Sequence, residues 1–206
     1  MKKLGLVCLA AICAIALALP AQASGTGLKA GFSLAKMHET STLGTLDWKN
    51  LSFVTGGLAF ESNYGMWGLE LDVFYVQQGG KITVDAANWV KDRLHYIQVP
   101  AQIKINLMPG GMVRPFVGGG AYGAYLIRAN EDAEVLGVKA KTNVTAAFDR
   151  WDWGVLGSAG VVFKMPGILV SVEARYNYGL MNVLKNSIAG DSVKNRCWMA
   201  LVGISY

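Results

Sequence analysis

The chain has 206 residues, of which 52% are hydrophobic and 16% are charged, so it is too apolar for a disordered protein and long enough for one sizeable domain. The formal net charge of +5 comes from scattered Lys and Arg residues, which argues against the clustered basic face of a nucleic-acid-binding protein. The mean hydropathy is positive, which is unusual for a water-soluble domain. The surplus apolar surface therefore indicates contact with a membrane.

The N-terminal segment has the features of a secretory signal peptide. Two lysines precede sixteen uncharged, mostly apolar residues, and Ala21-Gln22-Ala23 follows as a small-x-small cleavage site. A membrane anchor helix would need about 20 apolar residues and would lack the processing site. The sequence therefore predicts a cleaved signal peptide at 1–23 and a single mature domain at 24–206.

The predicted mature chain divides into eight segments whose side chains alternate in polarity with a period of two. The segments cover 26–36, 51–61, 67–78, 94–107, 114–127, 150–163, 168–180 and 196–206. Short turns are expected at 62–66, 108–113 and 164–167, and long loops at 37–50, 79–93, 128–149 and 181–195. Short turns on one side and long loops on the other are typical of outer-membrane barrels. We therefore predict an all-β, eight-stranded antiparallel up-and-down transmembrane β-barrel with both termini in the periplasm and the long loops outside.

Charged residues recur on one face of several segments, opposite a face that is wholly or largely apolar. Glu70 and Asp72 share a face of the third segment, Lys104 lies on the fourth, and Glu173 and Arg175 share a face of the seventh. An eight-stranded barrel is just wide enough for side chains to fill it. Unpaired charges would be costly there, so these five residues are predicted to form an interior charge network, with Lys29 and Asp152 as outer members.

Aromatic residues bracket the apolar faces, which separates a membrane barrel from a soluble one. A soluble lipocalin-like barrel would turn the apolar face inward and the polar face to water, and it has no need of aromatic residues at both ends of the apolar stripe. Interfacial girdles of membrane barrels do have them. The predicted girdle residues are Trp67, Tyr75, Trp151, Trp153, Phe163, Trp198 and Tyr206.

The last predicted strand ends on Tyr206, with Trp198, Ala200, Val202 and Ile204 on the same face. A terminal aromatic residue on an alternating strand resembles the signal by which the outer-membrane assembly machinery selects its substrates. This machinery and the outer-membrane lipids are therefore the expected partners of the barrel, and nucleic acid is not.

The facing of the fifth segment is left open by the pattern. Residues 118–123 match G-x-G-x-x-G, but a dinucleotide site needs a strand before this motif and a helix after it. Here a strand runs through it, and glycines relieve crowding in a small barrel. Phe116, Tyr122 and Leu126 form one candidate outward stripe, and Val117, Tyr125 and Ile127 form the other.

Few residues offer catalytic or metal chemistry. Only two histidines are present, and His95 lies in phase with the lipid-facing stripe, where a lipid-modifying site would need a Ser and an acid nearby. Nothing in the sequence places such partners, so His95 is interpreted as a solvated or girdle residue. Two separate histidines and Cys197, the one cysteine after residue 23, cannot complete a zinc site. The sequence predicts no catalytic residues, no metal and no cofactor.

Several segments resemble the PorT-like outer-membrane β-barrel family, which is typical of the Bacteroidetes. The similarity is carried by 27–33, 96–100, 115–120 and 173–180, and in order and spacing it extends over essentially all of the predicted mature chain. It implies a barrel in a Gram-negative outer membrane. It says little about activity, because only a few members are linked to protein secretion or gliding.

The long loops are where a specific function is expected, since a rigid barrel places recognition on its loops. The longest, 128–149, carries Val135, Leu136, Val138 and Phe148 among charges, which either pack across the barrel mouth or extend a strand, or contact a partner. The expected function is a structural or surface-docking role. The alternatives are a narrow gated pore or secretion-associated barrel and, third, a lipid-modifying enzyme.

Overall fold

The computed structural model describes residues 24–40, 49–83, 88–135, 138–185 and 192–206. The predicted signal peptide at 1–23 lies outside the described residues. Within them, one 3-10 helix spans Thr145–Ala147, and no helix is long and apolar enough to cross a membrane. The described strands are β1 (Ser24–Thr40), β2 (Leu51–Tyr64), β3 (Trp67–Thr83), β4 (Trp89–Asn106), β5 (Val113–Val135), β6 (Val138–Asn143), β7 (Trp151–Met165), β8 (Ile168–Gly179) and β9 (Ser192–Ser205).

Eight of these strands form a closed antiparallel barrel. The strand order is β4-β3-β2-β1-β9-β8-β7-β5, and β4 also pairs with β5, which closes the sheet on itself. Strand β6 pairs with the outer part of β5, in the register Asn130 to Asn143 through Val135 to Val138. It forms a hairpin that extends beyond the barrel wall. The predicted eight-stranded antiparallel barrel is confirmed.

The short connections and both ends of the described barrel chain lie at one end of the barrel. Gly65 and Gly167 adopt φ values of 61° and 80° in two of the turns, a conformation that glycine adopts without steric cost. Beside these turns, the Thr26 backbone N–H donates to the carbonyl of Tyr206 at 3.1 Å. This end is called the turn end below, and the opposite end is called the loop end.

The strands continue into the regions predicted as long loops. Strand β1 pairs with β9 as far as Thr40 and Ser192, and β3 pairs with β4 as far as Thr83 and Trp89. The predicted loop boundaries at 37–50, 79–93, 128–149 and 181–195 were wrong for this reason. Outside the lipid a backbone ladder needs no apolar face, so strands can continue after the polarity pattern has ended.

Side chains alternate between the lumen and the outer surface along the barrel strands. In β5, Phe116 and Leu126 are buried, whereas Val117, Tyr125 and Ile127 are exposed. The second of the two candidate stripes is therefore the outward one. Exposed apolar side chains also recur on the outward faces of β1, β2, β4, β7, β8 and β9.

Candidate functional site

Inward-facing charges from four strands meet in one layer of the lumen near the turn end. Strand β1 contributes Lys29, β3 contributes Glu70 and Asp72, β4 contributes Lys104, and β8 contributes Glu173 and Arg175. Their positions follow from the period-two alternation, which directs every second side chain inward. All six are buried, and we call them the lumen network.

Glu70 is the carboxylate at the centre of the lumen network. Its Oε1 lies 2.6 Å from Lys29 Nζ and 2.8 Å from Arg175 Nη2. Its Oε2 lies 2.8 Å from Lys104 Nζ. Cations from β1, β4 and β8 thus converge on one carboxylate of β3, and the contacts tie together strands on different sides of the barrel.

Arg175 is the corresponding cation, and its guanidinium faces three carboxylates. Nε lies 2.7 Å from Glu173 Oε1, Nη1 lies 2.8 Å from Asp72 Oδ2, and Nη2 contacts Glu70. The guanidinium carbon also lies 5.4 Å from the ring centroid of Phe74, within the range of a cation–π contact. Arg175 is completely buried, so its charge is stabilised by protein groups and not by solvent.

Neutral and acidic neighbours that the sequence analysis missed complete the layer. Gln102 donates to Glu70 Oε1 at 2.8 Å and accepts from Ser158 Oγ at 2.7 Å. Glu61 Oε1 lies 2.6 Å from Lys104 Nζ. The available signal was the inward phase of Gln102, two residues before Lys104, but the contact with Ser158 depends on pairing across strands.

The structure brings the five predicted network residues together, and Lys29, predicted as an outer member, lies at the centre with them. Lys29 bridges Glu70 and Glu173, at 2.6 and 2.7 Å. Asp152 lies elsewhere in the lumen, where it accepts a hydrogen bond from Asn195 Nδ2 at 2.9 Å. The same amide nitrogen lies 3.4 Å from Tyr96 Oη. Asp152 therefore belongs to a second polar layer, nearer the loop end.

A cluster of buried apolar side chains lies at the loop end of the lumen. Phe148, from the connection between β6 and β7, is buried there, as is Val183 from the connection between β8 and β9. The two connections are joined by backbone hydrogen bonds, from Asp149 N to Val183 O at 2.9 Å and from Lys185 N to Ala147 O at 3.1 Å. Further members of this apolar mouth are Met37, Leu94, Leu126, Leu156 and Val193.

The predicted girdle residues lie at the two ends of the apolar outer surface. Trp67, Phe163 and Tyr206 are at the turn end, and Tyr75, Trp151, Trp153 and Trp198 are towards the loop end. At the loop end the register joins Tyr75 to Ile97, Ile97 to Tyr125, and Tyr125 to Trp151. The rings of Tyr125 and Trp151 are 5.0 Å apart, edge to face. Two levels of aromatic residues, one at each end of the apolar outer surface, are a pattern that membrane barrels show.

His95 has neither a serine nor a carboxylate at its ring nitrogens. Nδ1 lies 2.5 Å from the hydroxyl of Tyr75, and Nε2 lies 3.3 Å from Nδ2 of Asn130. A hydrolytic arrangement needs a nucleophile next to the base, and these contacts supply a phenol and an amide instead. Among the described residues no three His, Cys, Asp or Glu side chains are arranged so that they could hold a metal ion.

Solved structures that resemble the chain are outer-membrane barrels. The outer membrane protein OprG from Pseudomonas aeruginosa matches with a TM-score of 0.53 and 13% identity, over 89% of this chain and 95% of that one. Neisserial surface protein A matches with a TM-score of 0.43 and 16% identity, over 86% and 95%. Ail of Yersinia pestis matches with a TM-score of 0.43 and 15% identity, over 90% and 100%. No curated protein matches the chain.

A family model assigns the chain more directly. The model described as "outer membrane protein beta-barrel domain" matches residues 21–185, which is most of the sequence and nearly all the strands of the barrel. The closed eight-stranded sheet, the apolar outer surface and the aromatic levels agree with this match. The chain belongs to the outer membrane protein beta-barrel domain family and is a β-barrel protein of the bacterial outer membrane.

Proposed function

We propose that this protein is a structural barrel with a closed lumen, and that its loop end is a docking surface for another envelope protein. In this proposal the turn end and both termini face the periplasm, and the loop end faces the outside. The C-terminal strand β9, ending next to Tyr206, serves recognition by the assembly machinery. The single observation that carries the proposal is the layer of buried, mutually contacting charges inside the barrel.

Two layers of different chemistry support a closed lumen. Near the turn end, Glu70 and Arg175 hold the lumen network together across the barrel. At the loop end, Phe148 and Val183 pack into the apolar mouth. A recess beside Lys29 at the turn end has a volume of about 10 Å³, at the lower limit for one water molecule. Because the described residues place packed side chains across the lumen at both levels, we propose that the resting barrel does not conduct ions.

Conductance tests the closed lumen against a gated pore. The purified barrel in a planar lipid bilayer should show no steady channel openings, and Arg175→Ala should show none either. The reason is that inward-facing side chains of the other strands, such as Phe74 on β3 and Gln102 on β4, would still surround the position of the missing guanidinium. Frequent openings in Arg175→Ala, but not in wild type, would instead identify the lumen network as a gate whose ion pairs switch partners.

The hairpin of β5 and β6 is the part of the loop end best suited to docking. Every residue of β6 is exposed, including Val138 at 71% of its maximal exposure. Opposite charges are paired across the hairpin, with Lys139 Nζ 3.8 Å from Glu134 Oε2. A projecting, hydrogen-bonded hairpin presents a defined surface at low entropic cost to a partner. Phe148, by contrast, is buried in the apolar mouth and is not available to a partner.

Deleting the hairpin separates docking from barrel stability. Replacement of 131–142 by a short Gly-Ser linker should leave the heat-modifiable migration of the barrel in SDS unchanged, because β4 still pairs with β5 along the membrane-spanning part. Cross-linked envelope partners should be lost from the deletion variant. The control is Lys139→Ala, which keeps the hairpin. An unchanged set of cross-linked partners after deletion would contradict the docking role.

A secretion-associated role is the second candidate. It is supported by the PorT-like segments, such as 173–180, two residues of which lie in the lumen network. The docking experiment applies to it as well, because a secretion component would be recovered among the cross-linked partners. No catalytic role is proposed, since the contacts of His95 are a phenol and an amide and not the Ser and acid that a lipid-modifying site would need.

A further inference from the structure

Strands β4, β5, β7 and β9 each direct one polar side chain into the lumen between the lumen network and the loop end. These side chains are Tyr96, Tyr122, Asp152 and Asn195, and each is at most 3% exposed. Asn195 joins two of the others, because its Nδ2 donates to Asp152 Oδ2 at 2.9 Å and to Tyr96 Oη at 3.4 Å. We call these four residues the Asp152 site.

Tyr122 crosses from β5 to the neighbourhood of Asn195. A Cβ atom at Gly154 on β7 would lie 2.9 Å from Tyr122 Oη. A Cβ atom at Gly179 on β8 would lie 3.3 Å from the same hydroxyl and 3.2 Å from the backbone nitrogen of Asn195. The two glycines therefore leave the space in which the phenol lies. Its hydroxyl is thereby brought beside the strand that carries Asn195.

Three oxygen atoms of the Asp152 site are buried and make no hydrogen bond to any residue that the structure describes. They are Tyr122 Oη, Asp152 Oδ1 and Asn195 Oδ1. Buried polar atoms in native proteins nearly always have a partner, which is a protein group, a water molecule or an ion. Three such atoms on three different strands of one small region therefore indicate a shared ligand that oxygen atoms bind.

The carboxylate of Asp152 has no ion-pair partner in the described part of the chain. Arg175 lies opposite Ser158, which is about 20 Å from Asp152 along β7. Arg150 is closer in sequence, but its Nη1 donates to the backbone carbonyl of Leu126 at 3.1 Å. A buried carboxylate without a counter-charge is costly. Water would satisfy its oxygen atoms without balancing its charge, whereas a cation does both.

The oxygen atoms and their surroundings fit a hard monovalent cation. Carboxylate, amide and phenol oxygens are hard ligands, which suit hard cations better than the softer transition metals. A single positive charge balances the carboxylate of Asp152. A divalent ion would leave a charge uncompensated beside the apolar mouth, in which Tyr122 packs with Phe148 and Val183, and an unpaired charge is costly there.

We propose that the Asp152 site binds a monovalent alkali cation, with sodium as the test ion. Asp152 Oδ1 supplies the negative charge, and Tyr122 Oη and Asn195 Oδ1 supply neutral oxygen ligands. The cation thereby joins β5, β7 and β9 next to the apolar mouth, as the lumen network joins strands near the turn end. The site depends neither on a docking partner nor on the orientation of the barrel in the membrane.

Because the site is enclosed, the ion has to be present while the barrel folds. The purified barrel is refolded from urea into detergent in sodium chloride or in choline chloride at equal ionic strength, and thermal unfolding is followed by tryptophan fluorescence. The midpoint should be about 3–6 °C higher in sodium when free sodium is about ten times its Kd. The increase should saturate as sodium replaces choline.

Three variants locate the ion. Asp152→Asn should lose the difference between sodium and choline, and in choline it should unfold at or above the wild-type midpoint because the uncompensated carboxylate is gone. Tyr122→Phe keeps the ring and the charge, and it should weaken sodium binding roughly fivefold through the loss of one oxygen ligand. The matched control is Asp132→Asn, which makes the same change of charge outside the lumen, where Asp132 pairs with Arg93. It should keep the sodium dependence.

Any of three results would overturn the proposal. Equal midpoints of the wild-type barrel in sodium and choline would show that Asp152 is satisfied by water or by protonation. A sodium dependence that survives in Asp152→Asn would place the ion elsewhere. Loss of the dependence in Asp132→Asn as well would indicate a general salt effect. The conductance and cross-linking experiments are unaffected by these outcomes, so the proposed function is tested separately.

Discussion

Replacing Arg175 by methionine should lower the free energy of unfolding of the barrel by about 3–5 kcal/mol, the cost of removing one partner from a buried ionic cluster. Asp72 would lose its ion pair, and Glu173 and Glu70 would each lose one of their cations. Methionine keeps much of the apolar volume of the arginine stem, so the loss reports on charge. Urea titration of the barrel in lipid vesicles, followed by tryptophan fluorescence, measures the change.

Two further variants show where the loss of stability comes from. Adding Asp72→Asn to Arg175→Met should recover about 1–2 kcal/mol, because residues in one network are coupled and the second change removes an uncompensated carboxylate. Lys139→Met breaks an exposed ion pair on the hairpin and should cost about 0.5 kcal/mol or less. If Arg175→Met costs no more than Lys139→Met, water reaches the lumen network and the layer is not sealed.

The barrel and its lumen charges could be predicted because a period-two pattern assigns every side chain to a face. Once Glu70 and Asp72 share a phase opposite an apolar stripe, their inward direction follows for any barrel with a lipid-facing surface. The inward or outward direction of a side chain does not determine which residues that side chain contacts. Lys29 and Glu173 are 144 residues apart in sequence, and they meet only because β1, β9 and β8 pair in a particular register.

In strand β5 the period-two pattern does not predict which face of the strand is outward. Glycines at 118, 119, 120 and 123 place no side chain on either face, so both candidate stripes satisfied the alternation. A bulge then places Arg128 opposite His95 and Leu126 opposite Tyr96, leaving Ile127 unpaired. A bulge of this kind reverses the phase of the side chains that follow. Only pairing with β4 and β7 determines which face is outward.

The loop end was hard to predict for a different reason. Beyond the lipid the backbone pairs without a continuous apolar face, so the polarity pattern ends before the strands do. Phe148 and Val183 come from separate connections, and their joint burial in the mouth depends on backbone hydrogen bonds between those connections. No local sequence feature marks such a contact.

Among the glycines of β5, the largest steric effect is expected at Gly120, which lies closest to the backbone of β4. A Cβ atom there would meet the carbonyl oxygen of Ala101 and lie 2.7 Å from Cα of Gln102. Both are backbone atoms of β4, so the wall itself must shift. Gly120→Ala should therefore lower the free energy of unfolding by about 1–3 kcal/mol, the usual cost of overpacking, as measured by the same urea titration.

Gly123 provides the matched control within the same strand. A Cβ atom at Gly123 would meet nothing within 4 Å, and the φ of neither glycine is in the left-handed region. Gly123→Ala should leave stability unchanged or raise it by about 0.4–1 kcal/mol, because alanine restricts the unfolded chain. Unheated samples should then keep the fast-migrating folded form in SDS for Gly123→Ala and lose part of it for Gly120→Ala. Equal behaviour of the two variants would show that β4 and β5 are not in close contact at Gly120, and that the glycines of this strand serve coiling of the sheet rather than close approach.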